Sequence, residues 1–128
     1  MQNESQNVVV CCADEKQRLN IAKKMSMHDI GSVLRISGVD QIFFECTNNP
    51  IDIIILCVAD QDDRTLIKEM CDKIKKELPR IAIIYLASQD SRYERLYAES
   101  LSCKAYYVKD IDETIMKALI NQFRRQNF

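Results

Sequence analysis

The hydrophobic positions of the chain fall into two alternating patterns, short apolar-rich runs bounded by breakers and longer stretches with helical spacing. Val8-Val9-Val10-Cys11-Cys12, Gly31 to Ser37, Ile51 to Ala59, Ile81 to Ala87 and Ala105 to Val108 are the short runs. The third is apolar without alternation from Ile53 to Ala59, opened by Asn48-Asn49-Pro50 and closed by Asp60-Gln61-Asp62-Asp63. Ile-rich runs bounded by such breakers predict strands buried on both faces, as in a parallel sheet covered by helices. Between them, Leu19, Ala22 and Met25 predict a first helix facing the sheet. Val39, Ile42, Phe43 and Cys46 predict a short second helix. Leu66, Met70, Ile74 and Leu78 predict a third, from about Asp63 to a stop at Pro79. Tyr93, Leu96, Tyr97, Ser100 and Leu101 mark a fourth helix, and Ile111, Ile115, Met116, Leu119, Ile120 and Phe123 a fifth. Arg124-Arg125 would sit against the negative end of that last helix. Five strands alternating with five helices imply right-handed crossovers and a doubly wound α/β sheet.

Length and composition agree with one soluble domain over residues 1–128, in which residues 1–6 are expected to form a disordered N-terminus. The net charge of −1 excludes a broad electrostatic surface for nucleic acid or anionic lipid. No apolar run approaches the roughly 20 residues needed to cross a bilayer, and the polar start Met1 to Asn7 lacks the features of a signal peptide. A cytoplasmic location is therefore expected. The cysteines, at 11, 12, 46, 57, 71 and 103, lack paired metal-binding spacing and read as reduced thiols. His28 reads as a surface residue before the second strand, and the Lys68 to Glu77 charges as a solvated helix face. With glycine at positions 31 and 38 alone, no Gly-rich loop is available to cradle a nucleotide.

In open parallel sheets, chemistry gathers beyond the carboxyl ends of the strands. Four stretches there carry a resemblance: Val8-Val-Val-Cys-Cys-Ala-Asp-Glu15, Pro50-Ile-Asp52-Ile-Ile-Ile-Leu56, Ile83-Ile-Tyr-Leu-Ala-Ser88 and Ala105-Tyr-Tyr-Val-Lys109-Asp-Ile-Asp112. In order and spacing the chain resembles the receiver domain of two-component response regulators. The resemblance implies a flavodoxin-like sheet of strand order 2-1-3-4-5. It also implies a site where an aspartate ending the third strand takes a phosphoryl group and magnesium is held by that aspartate and by acidic residues of the first strand. A Thr or Ser ending the fourth strand and a Lys ending the fifth bind the phosphoryl oxygens, because phosphoryl transfer rests on positioned charge.

Transferred onto this chain, the phosphoacceptor position falls on Cys57, the acidic pair on Cys11 and Cys12, and the Thr/Ser position on Ala87. Lys109 is retained, with Tyr106 at the switch aromatic. Thiols are poor ligands for magnesium, which wants hard oxygen donors. The expectation is a degenerate, non-phosphorylatable pseudo-receiver that is not an enzyme, needs no cofactor and acts through protein–protein contacts. Its partner would be a histidine kinase, another receiver, an effector or a second copy of itself, not nucleic acid or membrane.

Two alternatives stay open. If the strands ran two or three residues further, Asp14, Glu15, Asp60 and Ser88 could rebuild an acidic pocket, with magnesium bound and Asp60 as acceptor. Or Cys11, Cys12 and Cys57, close together with Lys109 nearby, could form a thiol-based redox or metal sensor, the contrasting view being that small buried residues relieve the repulsion of unused carboxylates. The interaction surface is expected on the fourth helix, fifth strand and fifth helix, at Tyr93, Tyr97, Tyr107 and Lys117. Tyrosine suits interfaces by joining apolar area to a polar tip. Ala87 would leave space for Tyr106 to sit inward in one fixed rotamer.

Overall fold

The computed structural model describes residues 6–27 and 30–126. Five strands, β1 (Gln6–Cys11), β2 (Ile30–Ile36), β3 (Ile53–Val58), β4 (Ala82–Ala87) and β5 (Ala105–Val108), form one sheet in the order β2-β1-β3-β4-β5. Every pairing is parallel. The helices are α1 (Glu15–Ser26), α2 (Ile42–Asn48, entered through a 3-10 turn at Val39–Gln41), α3 (Arg64–Glu77), α4 (Arg92–Ser100) and α5 (Glu113–Gln126). This is the doubly wound sheet expected from the alternation of patterns, in the flavodoxin-like order that the resemblance implies. His28 and residues 1–5 lie outside the described residues. Gln6, expected in the disordered tail, instead opens β1 by pairing with Ile30.

The two apolar layers follow from the pleat, in which neighbouring side chains point to opposite faces. Val8, Val10, Ile53, Ile55, Ile84 and Leu86 pack under α1 and α5, against Ile21, Met25, Met116 and Leu119. Val9, Cys11, Ile54, Leu56, Val58 and Tyr85 pack under α2, α3 and α4, against Ile42, Ile67, Ile74 and Ala98. Each fully buried Ile or Leu contributes about 2 kcal/mol of apolar transfer, so the central strands dominate the core.

Three helical stripes differ from the sequence expectation, one of them in α4, where Tyr93 and Leu96 are exposed and Glu94 and Ala98 are buried. Leu66 is 41% exposed and Leu19 43% exposed. The residues that face the sheet are Ile67, Met70, Cys71 and Ile74 in α3, and Ile21, Ala22 and Met25 in α1. With about 100° of rotation per residue, a strict four-residue repeat turns about 40° further at each step. The Leu66-to-Leu78 series therefore drifts off the buried face at its first member.

The start of α3 is fixed by Asp63, whose Oδ1 accepts hydrogen bonds from the Thr65 and Leu66 N–H groups, both at 3.1 Å. These satisfy two of the backbone donors that a helix N-terminus leaves unpaired. Asp63→Ala is expected to lower stability by about 1 kcal/mol in urea unfolding. A change within error would show that this cap does not hold the helix start.

Candidate functional site

The carboxyl ends of β1 and β3 lie side by side in the middle of the sheet. Cys11 pairs with Leu56, so the next step of the register sets Cys12 beside Cys57. By the pleat, Cys12 and Cys57 share the α1/α5 face, whereas Cys11 points into the opposite layer. The three cysteines expected to cluster are thus a pair and a neighbour behind the sheet. Cys12 is buried, Cys57 half-buried, and both line a small cavity of about 70 Å³ with Asp14, Gln17, Asp62 and Ser88.

The pair is electrostatically unequal. Hydrogen bonding from the Cys57 thiol draws the Cys12 pKa below its ordinary value against the opposing effect of burial, helped by the Asp14 backbone N–H and the Arg18 charge. That same hydrogen bond, followed by burial, pushes Cys57 up. The neutral Cys12 thiol also donates to Gln17 Oε1 at 3.2 Å, while Arg18 Nη1 donates to the Cys12 carbonyl at 2.7 Å. Burial pushes Cys11 up to about 12, leaving it a small hydrophobe.

The acidic residues considered for a rebuilt pocket are not brought together. Asp14 reaches the cavity but caps α1, accepting the Gln17 N–H at 3.1 Å. Glu15 is exposed in the first turn of α1. The Asp60 side chain is 88% exposed and leans toward Arg64 at 4.0 Å, outside the cavity lining. In its place stands Asp62, whose Oδ2 accepts the Ala59 N–H at 2.8 Å and lines the cavity. Of the acidic doublet after β3, Asp63 caps the helix and Asp62 closes the turn. The doublet was the available signal. Among the described residues, no group of three or more His, Cys, Asp or Glu is placed to hold a metal ion.

Ala87 is fully buried, and its carbonyl accepts the Lys109 N–H at 2.7 Å. Lys109 takes a left-handed conformation, φ 68°, which ends β5. Its carbonyl accepts Gln17 Nε2 at 3.2 Å, and its side chain lines the groove beside α1 rather than the cysteine cavity. The lysine is present but does not line the cavity that holds Cys57.

The tyrosines do not make one face. On α4, Tyr93 and Tyr97 are one helical turn apart and stack at 6.3 Å, turned toward α3. The Arg64 guanidinium lies over both rings, at 5.4 Å and 4.9 Å, and the Tyr97 hydroxyl donates to the Arg64 carbonyl at 2.6 Å. Tyr106 packs under α4 and Tyr107 under α5, on opposite faces of β5, and Lys117 is exposed on α5. Tyr106 is half-buried rather than sunk in the core. Its ring stacks on Tyr85 at 5.7 Å and its hydroxyl donates to Asp90 Oδ1 at 3.0 Å.

Behind Tyr97 lies a buried polar network that sequence reading missed. Glu94 is 7% exposed and takes a two-pronged contact from Arg64, at 3.2 Å and 2.8 Å, and a hydrogen bond from the Tyr85 hydroxyl. Burial alone would raise the Glu94 pKa. The Arg64 guanidinium and the Tyr85 hydroxyl outweigh it and hold the carboxyl below its ordinary value. The network ties the first turns of α3 and α4 to the centre of β4.

No family model matches the chain, and no curated protein matches its sequence. Solved structures do. A response regulator receiver domain protein (CheY-like) from Methanospirillum hungatei superposes with a TM-score of 0.80 at 10% identity, covering 96% of this chain and 97% of that one. The fold is that of receiver domains. The orphan response regulator of H. pylori gives a TM-score of 0.73 at 14% identity, covering 98% of each chain. A putative pilus assembly-related protein from Burkholderia pseudomallei gives 0.82 at 16% identity, covering 98% of this chain and 94% of that one. Identities this low establish the receiver fold and leave the chemistry to be argued from the residues above. Among the described residues, no helix is long and apolar enough to cross a membrane.

Proposed function

We propose that this chain is a pseudo-receiver, a signalling domain that works by binding a protein partner without phosphoryl transfer. The reading is carried by one observation: thiols of Cys12 and Cys57 line the cavity at the ends of β1 and β3, where receiver chemistry uses carboxylates. Magnesium needs several hard oxygen ligands; of the two carboxylates at the cavity, Asp14 is engaged in capping α1 and Asp62 in accepting the Ala59 N–H, and the two thiols add none. Lys109 lines the groove beside α1 and not the cysteine cavity, and Ala87 carries no hydroxyl, which supports the absence of groups to neutralise a phosphoryl.

The partner is a histidine kinase, another receiver, an effector or a second copy of the chain, docking on α4, β5 and α5 around Tyr106 and Lys117. The Arg64–Glu94–Tyr85 network supports a surface held in one state, since it fixes the start of α4. A surface with one state binds its partner without an input-dependent population shift. Incubation with acetyl phosphate, or with beryllofluoride, plus magnesium tests the reading by intact mass and calorimetry. No mass gain and no binding heat are expected. Stoichiometric, magnesium-dependent modification at any residue, Asp62 included, would refute it.

A further inference from the structure

We propose that Cys12 and Cys57 form a reversible redox site, in which a hydroperoxide oxidises the pair to a cross-strand disulfide and a small dithiol restores it. This rests on the geometry of the strand ends and does not depend on whether phosphoryl transfer occurs. Neighbouring positions on paired strands lie about 4.8 Å apart, inside the Cα separation of roughly 4.4–6.8 Å that a disulfide spans. Cys12 and Cys57 are such neighbours, one step beyond the Cys11–Leu56 pairing, and both side chains leave the sheet on the α1/α5 face. Cys11 leaves on the other face, among Ile36, Leu56 and Val58, and cannot reach Cys57 without inverting its strand. The cavity beside the pair gives a molecule the size of hydrogen peroxide a way in, and Cys57 is half-buried there.

The two thiols have different parts to play. Cys12 sits just before α1, where the hydrogen bond from the Cys57 thiol, the Asp14 N–H and the Arg18 charge favour its thiolate against burial and the Asp14 carboxylate. Thiolate is the nucleophile in such chemistry. The Cys12 thiolate attacks one peroxide oxygen, the O–O bond breaks, and the departing hydroxide takes up the proton that Cys12 gave up on ionising and leaves as water. The Cys12 sulfur is oxidised to a sulfenic acid and the peroxide is reduced. The Cys57 sulfur then attacks the Cys12 sulfur. The S–S bond forms, the S–O bond breaks, and the departing hydroxide takes the Cys57 proton as water. Two thiols and one hydroperoxide give one disulfide and two molecules of water when the oxidant is hydrogen peroxide. Reduction by a dithiol reverses it by exchange. The site of the receiver fold that would carry a phosphoryl would here carry an oxidation state.

The experiment treats the reduced full chain with a small excess of hydrogen peroxide, quenches free thiols and maps peptides without reduction. Wild type should yield one linkage, Cys12 to Cys57, with a loss of two hydrogen atoms, and dithiothreitol should remove it completely. Cys11→Ala should leave the linkage unchanged. In Cys57→Ser, dimedone should trap a sulfenic acid on Cys12, whereas Cys12→Ser should show none on Cys57. Six free thiols surviving in wild type, or a linkage through Cys11, Cys46, Cys71 or Cys103, would overturn the site. Dimedone capture on Cys57 at an equal rate would overturn the assignment of Cys12 as nucleophile. The wild-type map decides the existence of the linkage even if a serine variant does not fold.

Discussion

Glu94→Ala should lower the folding free energy by about 3 kcal/mol, because breaking a buried ion pair strands the remaining partners. The Arg64 guanidinium would keep its charge over Tyr93 and Tyr97 with only the exposed Asp60 carboxylate 4.0 Å away, and the fully buried Tyr85 hydroxyl would lose its acceptor. An unsatisfied buried hydroxyl alone costs about 1–3 kcal/mol. Glu94→Gln keeps the shape and an acceptor for Tyr85, so about half of that loss is expected. The gap between wild type and Glu94→Gln should also depend on pH. The folded pKa of Glu94 is depressed, so its contribution is present above the unfolded value of about 4.3 and disappears as pH falls through the folded one. Urea unfolding at pH 7 and at pH 3 reads both effects. A Glu94→Gln gap equally large at pH 3 would show that charge is not what Glu94 supplies.

Glu94 also marks the limit of what the chain reveals by itself. The short apolar runs bounded by breakers specify the strands and their alternation with helices specifies a parallel doubly wound sheet, whereas the order of strands comes from the resemblance to receiver domains. The helix faces were less legible. Leu19 and Leu66 obey the periodicity as well as Ile21 and Ile67 do, and which flank turns inward depends on neighbouring helices that a local pattern does not contain. Glu94 sits at the apolar spacing of Ala98 and Leu101, so the conflict was visible as a charge on a buried stripe. Its resolution needed Arg64, which is distant in sequence and looks like an ordinary first-turn residue. The cysteines show the same division. Period-two alternation along each strand separates Cys11 from Cys12, but pairing Cys12 with Cys57 needs the register between strands. Asp62 and Asp63 are indistinguishable until one of them caps α3.

Cys57→Asp should destabilise the protein by about 2–3 kcal/mol at pH 7, a burial cost for an ionised carboxylate without a counter-ion. This substitution restores the residue type that phosphoacceptor chemistry would use, so the outcome bears on why a thiol stands there. The new carboxylate would lie beside Cys12, in a cavity whose nearest acidic neighbours are Asp14 and Asp62. Burial and Asp62 already contribute to the raised pKa of the Cys57 thiol, and both act on a carboxyl in the same direction. The folded pKa of the introduced aspartate should therefore lie above the unfolded value of about 3.9. Below that value both states are protonated and the penalty is small. It grows as pH rises toward the folded pKa and then levels off. Millimolar magnesium should not recover the loss, since Asp14 is engaged in capping α1, Asp62 in the turn at Ala59, and Cys12 adds no oxygen ligand. Urea midpoints of wild type and Cys57→Asp at pH 4 and pH 7, with and without magnesium, measure this directly. If magnesium instead restored wild-type stability at pH 7, a latent cation site would exist beside Asp62, and the proposed absence of phosphoryl transfer would rest on the Cys57 sulfur alone.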